Sequence, residues 1–290
     1  MGKASAGRLP ASERFLKLSW KLEDQMGILL STNMYSTKTF SRIQRYLDFF
    51  QGAVGVEVFP LFHDRDFDAE LNRLLPALEK VPVTFHEPYY QADHTAPEGS
   101  EVRERTDEMF QKTVHAAEKL KARHIVFHHN NCRVPDDPSL RAQMLERSCL
   151  QYRKAEEIAM QAGIPVLVEN VGVHSRGNVL LDEDAFIRLC KKEKYPVLID
   201  IGHAHANGWD IDHLCRTLGD QIHAYHLHNN DGIHDSHRRI HDGTLDFDAF
   251  LRTVRDIGRP VDLVVEYAAQ VEPDEAGIRA DLEELLKWAG

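Results

Sequence analysis

Along the chain, short apolar runs alternate with longer stretches in which apolar residues recur at helical spacing, and eight such pairs follow one another from Gly27 onward. The runs are Gly27 to Ser31, Ala53 to Phe59, Pro82 to His86, His124 to His128, Pro165 to Glu169, Pro196 to Asp200, Ile222 to His228 and Val261 to Glu266. Each is apolar almost throughout rather than at alternate positions, as a strand buried on both faces should be. The stretches between them read as amphipathic helices: Thr39 to Phe50, Phe67 to Glu79, Ser100 to Lys121, Pro138 to Ala162, Asp182 to Glu193, Ile211 to Leu218, Phe247 to Ile257 and Asp274 to Trp288. Asp136-Asp137-Pro138 and Asp182 supply helix starts, while Gly163-Ile164-Pro165 and Gly258-Arg259-Pro260 stop a helix and feed a strand. The alternation predicts an α/β fold, a single (β/α)8 TIM barrel over residues 26–290 with its chemistry at the C-terminal mouth. Residues 1–25, small and polar around Pro10, read as an N-terminal arm.

Composition narrows the setting. The chain has 290 residues, and a hydrophobic share of 42% can fill one large core. A formal net charge of -11 disfavours broad attraction to nucleic acid, leaving room only for a local basic groove. The four cysteines contain no CxxC pair, which suggests neither a disulfide framework nor a zinc knuckle and fits a reducing cytoplasm. The N-terminus lacks the apolar core of a signal peptide, and no segment approaches the roughly 20 apolar residues that would span a bilayer. Oligomeric state leaves no mark in the sequence.

The polar residues at the strand ends carry the chemistry. His86, His128, Glu169, Asp200, His228 and Glu266 end six consecutive apolar runs, and each is a type that ligates divalent metal. If the barrel closes, they converge on one mouth, where charges left without metal, hydrogen bonds or water would be costly. Asp200 is followed by His203 and His205; His226 and His228 share a strand face; Asp235 and His237 stand shortly beyond. Taken singly, a strand-end histidine is more often a satisfied polar residue than a ligand, but six together point to at least one metal. His63, His94, His115, His124, His174, His213, His223, His234 and His241 lack such a setting and are expected at the surface or behind the site. Glu57 and Trp209 could line the mouth or serve the core.

These motifs resemble the xylose-isomerase-like superfamily, which includes sugar isomerases, sugar-phosphate epimerases and endonuclease IV-type repair enzymes. The likeness covers nearly all of the chain after Gly27 and rests on LVEN at Glu169-Asn170, DIGHAHANG from Asp200, HLHNND around His228, Asp235-Ser236-His237 and the final Glu266. The epimerase branch implies one divalent metal, zinc or manganese, held by Glu169, Asp200, His228 and Glu266. The endonuclease branch implies two or three zinc ions and would add His86, His128, His203, Asp235 and His237. The lysine expected after the fifth-strand glutamate of true xylose isomerases is missing, because Asn170-Val171-Gly172 follows Glu169.

On this resemblance the expected activity is a metal-dependent sugar or sugar-phosphate isomerase or epimerase. Glu169 and Glu266 would be the catalytic carboxylates that pass a proton through an enediolate. His205, Asn229 and Trp209 would contact a small carbohydrate, and Arg238 or Arg239 would clamp its phosphate. The alternative is endonuclease IV-like phosphodiester hydrolysis at abasic sites, with nucleic acid as partner. Only Arg133, Arg176, Arg238 and Arg239 can be placed near the mouth to serve it, and no aromatic, basic wedge loop is evident.

Overall fold

The computed structural model describes residues 26–290, so the expected arm at 1–25 lies outside the described residues. Eight strands, β1 (Ile28–Ser31), β2 (Gly55–Val58), β3 (Val83–His86), β4 (Ile125–Phe127), β5 (Val166–Glu169), β6 (Val197–Asp200), β7 (Ile222–Leu227) and β8 (Asp262–Val265), follow in chain order around a closed barrel. All pairs are parallel, and β1 closes the ring onto β8 with Leu29 opposite Val264. The strands are shorter than the apolar runs because proline at 82, 165 and 196 cannot donate to a ladder and stays outside it. At the other end, His128, His228 and Glu266 stand one residue beyond β4, β7 and β8.

The helices are α1 (Gln44–Phe50), α2 (Phe67–Leu78), α3 (Glu101–Lys119), α4 (Pro138–Gln161), α5 (Glu183–Glu193), α6 (Ile201–Ala206), α7 (Ile211–Leu218), α8 (Phe247–Ile257) and α9 (Glu275–Ala289). Local chemistry sets their starts. Asp137 accepts from the amides of Ser139 and Leu140 with Pro138 in the first turn, and Asp182, Asp210, Asp246 and Asp274 each accept from the amide three residues on. Gly258 closes α8 at a φ of +68°, a left-handed conformation that costs a residue without Cβ nothing. The expected helix at Thr39 to Phe50 is instead a 3-10 segment, Thr37–Ile43, that widens into α1. α6 has no counterpart among the expected helices; its sequence is too polar and too short to show an amphipathic stripe.

Two apolar groups divide the core. The larger packs helices against the outer faces of the strands, and a small one, Val126, Leu167, Leu198 and Ala224, fills the barrel interior. Because strand side chains alternate, the residue two positions on from each of these four also points inward, one layer nearer the mouth. Those residues are His128, Glu169, Asp200 and His226. The interior is therefore apolar below and ionisable above, and the site stands on that boundary.

Candidate metal centre

The innermost feature is a carboxylate cage around one imidazole nitrogen. His226 Nδ1 lies 3.4 Å from Glu169 Oε2, 3.5 Å from Glu266 Oε2 and 3.8 Å from Asp200 Oδ2, with all four residues buried. Its Nε2 donates to Glu57 Oε2 at 3.0 Å, which leaves a lone pair on Nδ1 facing three acceptors. Nδ1 makes no hydrogen bond, so the arrangement suits a cation, either a second proton or a divalent metal, and His226, Glu57 and Glu266 form one donor set there.

Two further groups flank this cage. On one side, His86 Nδ1 donates to the Glu87 carbonyl (2.7 Å) and His128 Nδ1 faces Asn131 Oδ1 (2.9 Å), so that both Nε2 atoms point inward. These lie 3.0 Å apart, and His128 Nε2 is 3.0 Å from Glu169 Oε2. Two imidazole lone pairs that close need a shared cation between or beside them. On the other side, His237 Nδ1 donates to the Glu266 carbonyl (3.0 Å) and turns Nε2 towards Asp235 Oδ1 (3.0 Å). His203 Nδ1 lies 3.1 Å from the Asn170 carbonyl and 3.2 Å from Glu169 Oε1, while its Nε2 is 3.5 Å from Asp235 Oδ2. The sets His86, His128, Glu169 and His203, His228, Asp235, His237 each bring their donor atoms within 4.8 Å of one another.

His228 sits differently from the strand-end expectation. Its ring lies flat over Gly202, where a Cβ would come within 2.0 Å of the imidazole, and stacks on His237 with centroids 3.7 Å apart. Its Nε2 approaches Asp200 Oδ2 at 3.0 Å, and it forms one donor set with Asp200 and Glu266 and another with His203, Asp235 and His237. His228 thus remains a candidate ligand beside Asp200 and Glu266, and His226, grouped with Glu57 and Glu266, is a second imidazole at the same floor. The two-residue step puts both on the inward face: His226 follows Ala224 as Glu169 follows Leu167 and Asp200 follows Leu198, and His228 follows His226 in turn.

The electrostatics reflect this crowding. Burial would push the Glu169 carboxyl up, but His128 and His226 pull it well below the usual range. Asp200 is likewise held down to about 2 against its burial by His203 and His228. Glu266 goes the other way: burial, helped by Glu57 and Glu169, outweighs His226 and His237 and raises it to about 7. His237, though buried, is lifted to about 9 by Asp235, and Glu57, Glu266 and Glu169 hold His226 well above its ordinary value. His86 is lowered to about 3 by burial and by neighbouring His128. Protons and divalent metal would compete for the same nitrogens.

A cavity of about 380 Å³ opens above the cage, with Phe59, Tyr89 and Tyr90 on one wall and Asn33, Arg176 and Gln270 among its other lining residues. His86, His128, Glu169, His203, Asp235, His237 and Glu266 reach it directly. The residues expected to touch substrate do not line it. Asn229 is buried with its amide spent on the Ile240 and Leu245 carbonyls and its oxygen on two backbone amides, so it ties down the loop after β7. His205 bonds Thr244 (2.8 Å), and Arg238 is exposed and pairs with Asn229 through backbone. Arg239 is committed to Asp274 and Asp281 on the α9 side, and Trp209 packs near Phe186 behind the floor. Of the histidines expected at the surface or behind the site, His94 and His124 are buried; His94 bonds Glu87, and His124 lies 3.8 Å from Asp262.

The model of the xylose isomerase-like TIM barrel family matches residues 50–288. The chain belongs to that family. Among curated proteins, a relative is the uncharacterized protein MJ1311 of Methanocaldococcus jannaschii, 24% identical over 185 residues, a match that spans 62% of each chain. Among solved structures, a D-tagatose 3-epimerase-like protein shares the fold with a TM-score of 0.72 at 19% identity, covering 90% of this chain and 98% of that one. An AP endonuclease of family 2 from Brucella melitensis superposes with a TM-score of 0.64 at 16% identity, over 86% and 99%. Identities this low speak for the fold alone. Among the described residues no helix is long and apolar enough to cross a membrane.

Proposed function

We propose that the protein is a divalent-metal-dependent isomerase or epimerase of a small sugar or sugar phosphate, working in the cytoplasm. The observation that carries this reading is the pair of carboxylates, Glu169 and Glu266, on either side of one imidazole nitrogen at the floor of a cavity of about 380 Å³. Such a space suits a single compact polyol, not a duplex.

Glu169, Asp200 and Glu266, with His228 or His226 as the imidazole, would hold the metal, which when bound polarises a substrate carbonyl and lowers the barrier to losing the neighbouring proton. Glu266, whose carboxylate reaches the cavity, would exchange a proton with substrate. Glu169, held well below the carboxylate range, stays ionised and accepts a proton from the other side. His228 fixes the Asp200 carboxylate, and Phe59, Tyr89 and Tyr90 exclude water from the enediolate.

The experiment is exchange of the carbon-bound hydrogen next to the carbonyl in deuterated water, across a ketose and ketose-phosphate panel. Wild type should wash in deuterium with at least one member, and Glu266→Gln should fall by at least about 100-fold, the lower end expected for a general acid or base. Normal exchange by the variant would end the enediolate role.

A second reading, multinuclear phosphoester hydrolysis, is favoured by the two flanking donor sets, which exceed what one metal and one proton transfer require. It predicts two or three zinc ions per chain and cleavage of abasic-site duplex with no exchange on any sugar. Against duplex binding, Arg176 is the single Lys or Arg among the cavity-lining residues.

A further inference from the structure

The cavity has one cationic pole. Arg176 projects from a 3-10 turn, His174–Arg176, in the loop after β5. That loop is stapled from several sides: Val173 N–H donates to Asn178 Oδ1 (2.8 Å), His174 N–H to Asn207 Oδ1 (2.9 Å), and Asn207 Nδ2 to the Gly172 carbonyl (2.8 Å). Gly172 has a φ of +85°, and a Cβ there would meet the Asn178 carbonyl oxygen at 2.3 Å, so the turn cannot drift without breaking its own backbone packing. The guanidinium is oriented by two bonds to one residue: Nη1 lies 2.9 Å from Asp235 Oδ2, and Nη2 donates to the Asp235 carbonyl at 2.9 Å. Five N–H groups are available and two are so engaged, while half of the side chain (51%) remains exposed at the cavity.

Charge gives this arginine a purpose. Glu169, Asp235 and Glu266 stand at the floor among imidazoles they already pair with, so an anionic group finds no free partner there. Metal at the floor would serve the hydroxyl and carbonyl end. An anionic group at the far end needs its own partner, and the remaining wall, Asn33, Phe59, Tyr89, Tyr90 and Gln270, carries no charge. A planar, preorganised guanidinium is suited to hold a tetrahedral oxyanion through two parallel N–H bonds.

We propose that Arg176 is the specificity-determining residue for a phosphate group, so that the substrate is a phosphorylated polyol rather than a free sugar. This rests on the carbohydrate reading above and narrows it. The test uses metal-loaded protein, wild type, Arg176→Gln and Arg176→Lys, with metal content measured on each sample. Ketose phosphates, the matching free ketoses, the matching uronates and inorganic phosphate are titrated by calorimetry. Wild type should prefer the phosphate ester over the free ketose by at least tenfold. Arg176→Gln should reduce that preference by tenfold or more, and Arg176→Lys, which keeps the charge but not the planar fork, should fall between. An unchanged preference in both variants overturns the assignment, as does a wild type that prefers uronates. If Arg176→Gln also loses metal through Asp235, the Lys variant decides. Should no sugar bind at all, the carbohydrate reading fails by itself; phosphate binding that falls with Arg176→Gln would still uphold the anion site, and phosphate binding indifferent to residue 176 would sink it.

Discussion

Replacing His226 by alanine separates the central ligand set from its supports. Three buried carboxylates, Glu57, Glu169 and Glu266, lie within 3.5 Å of its two ring nitrogens, and the substitution leaves all of them without that partner. Removing one member of a buried ion pair costs about 3–5 kcal/mol, so metal-free His226→Ala should lose at least that much stability to denaturant. The matching change His228→Ala removes one hydrogen bond, to Asp200 at 3.0 Å, and one stacked ring. A partner that orients a ligand is worth about 10–100-fold in metal affinity. At about 1.4 kcal/mol per tenfold, that is roughly 1.4–2.7 kcal/mol. Metal equivalents measured by elemental analysis at buffered free zinc should therefore drop by one for His226→Ala, and the His228→Ala protein should refill once free metal is raised about 100-fold. His226→Asn, which keeps a polar group beside Glu57, guards against simple misfolding. A His228→Ala protein that stays one equivalent short at saturating metal, beside a His226→Ala protein with its full complement, would make His228 the imidazole ligand instead.

His86→Ala should cost the flanking set its metal without lowering occupancy of the central cage, giving one equivalent fewer than wild type if more than one ion is bound. The pH dependence of the metal-free protein follows from shifts of one sign. His237 is raised from 6.5 to about 9, so its stabilisation is fully present below 6.5 and is lost as pH rises through about 9. Glu266, raised from 4.5 to about 7, loses its contribution over that lower interval. Thermal unfolding should accordingly shift down between pH 6.5 and 9, and bound zinc should blunt the shift; a rising midpoint would contradict the cage electrostatics. Leu198→Ala, in the interior layer, should destabilise by about 2–5 kcal/mol in chemical denaturation. Asp182→Ala should cost about 1 kcal/mol through the lost helix cap of α5.

The barrel was legible because a strand buried on both faces must be apolar throughout, and eight such runs stood out against helices with aspartate starts. Position within a strand was harder to read. Choosing residues at the ends of apolar runs singled out Glu169, Asp200 and His228 but gave no role to His226, two residues before the end of the seventh run. The pleat, which sets inward positions by steps of two, puts both histidines on the same face and so could not rank them. Asn229 looked like a substrate contact for a related reason: a polar residue beside ligands can equally be the clamp of the loop that presents them, and its four hydrogen bonds to backbone show that it is. Glu57 hid among valines in GVEV, where nothing but the opposing His226 accounts for it. α6 escaped because its start is stabilised by a site residue rather than by an apolar face.

That start carries a consequence of its own. Asp200 accepts the His203 amide with Oδ1 at 2.6 Å while Oδ2 faces the cage, so one carboxylate both nucleates a helical turn and presents a donor atom. Winding and ligation are mechanically linked there: the first turn of α6 cannot fray without swinging Oδ2 away, and an ion gripping Oδ2 restrains the turn. The backbone amide of residue 203 is thereby an internal gauge of occupancy, and its hydrogen exchange should slow on adding zinc even in a variant that turns over nothing.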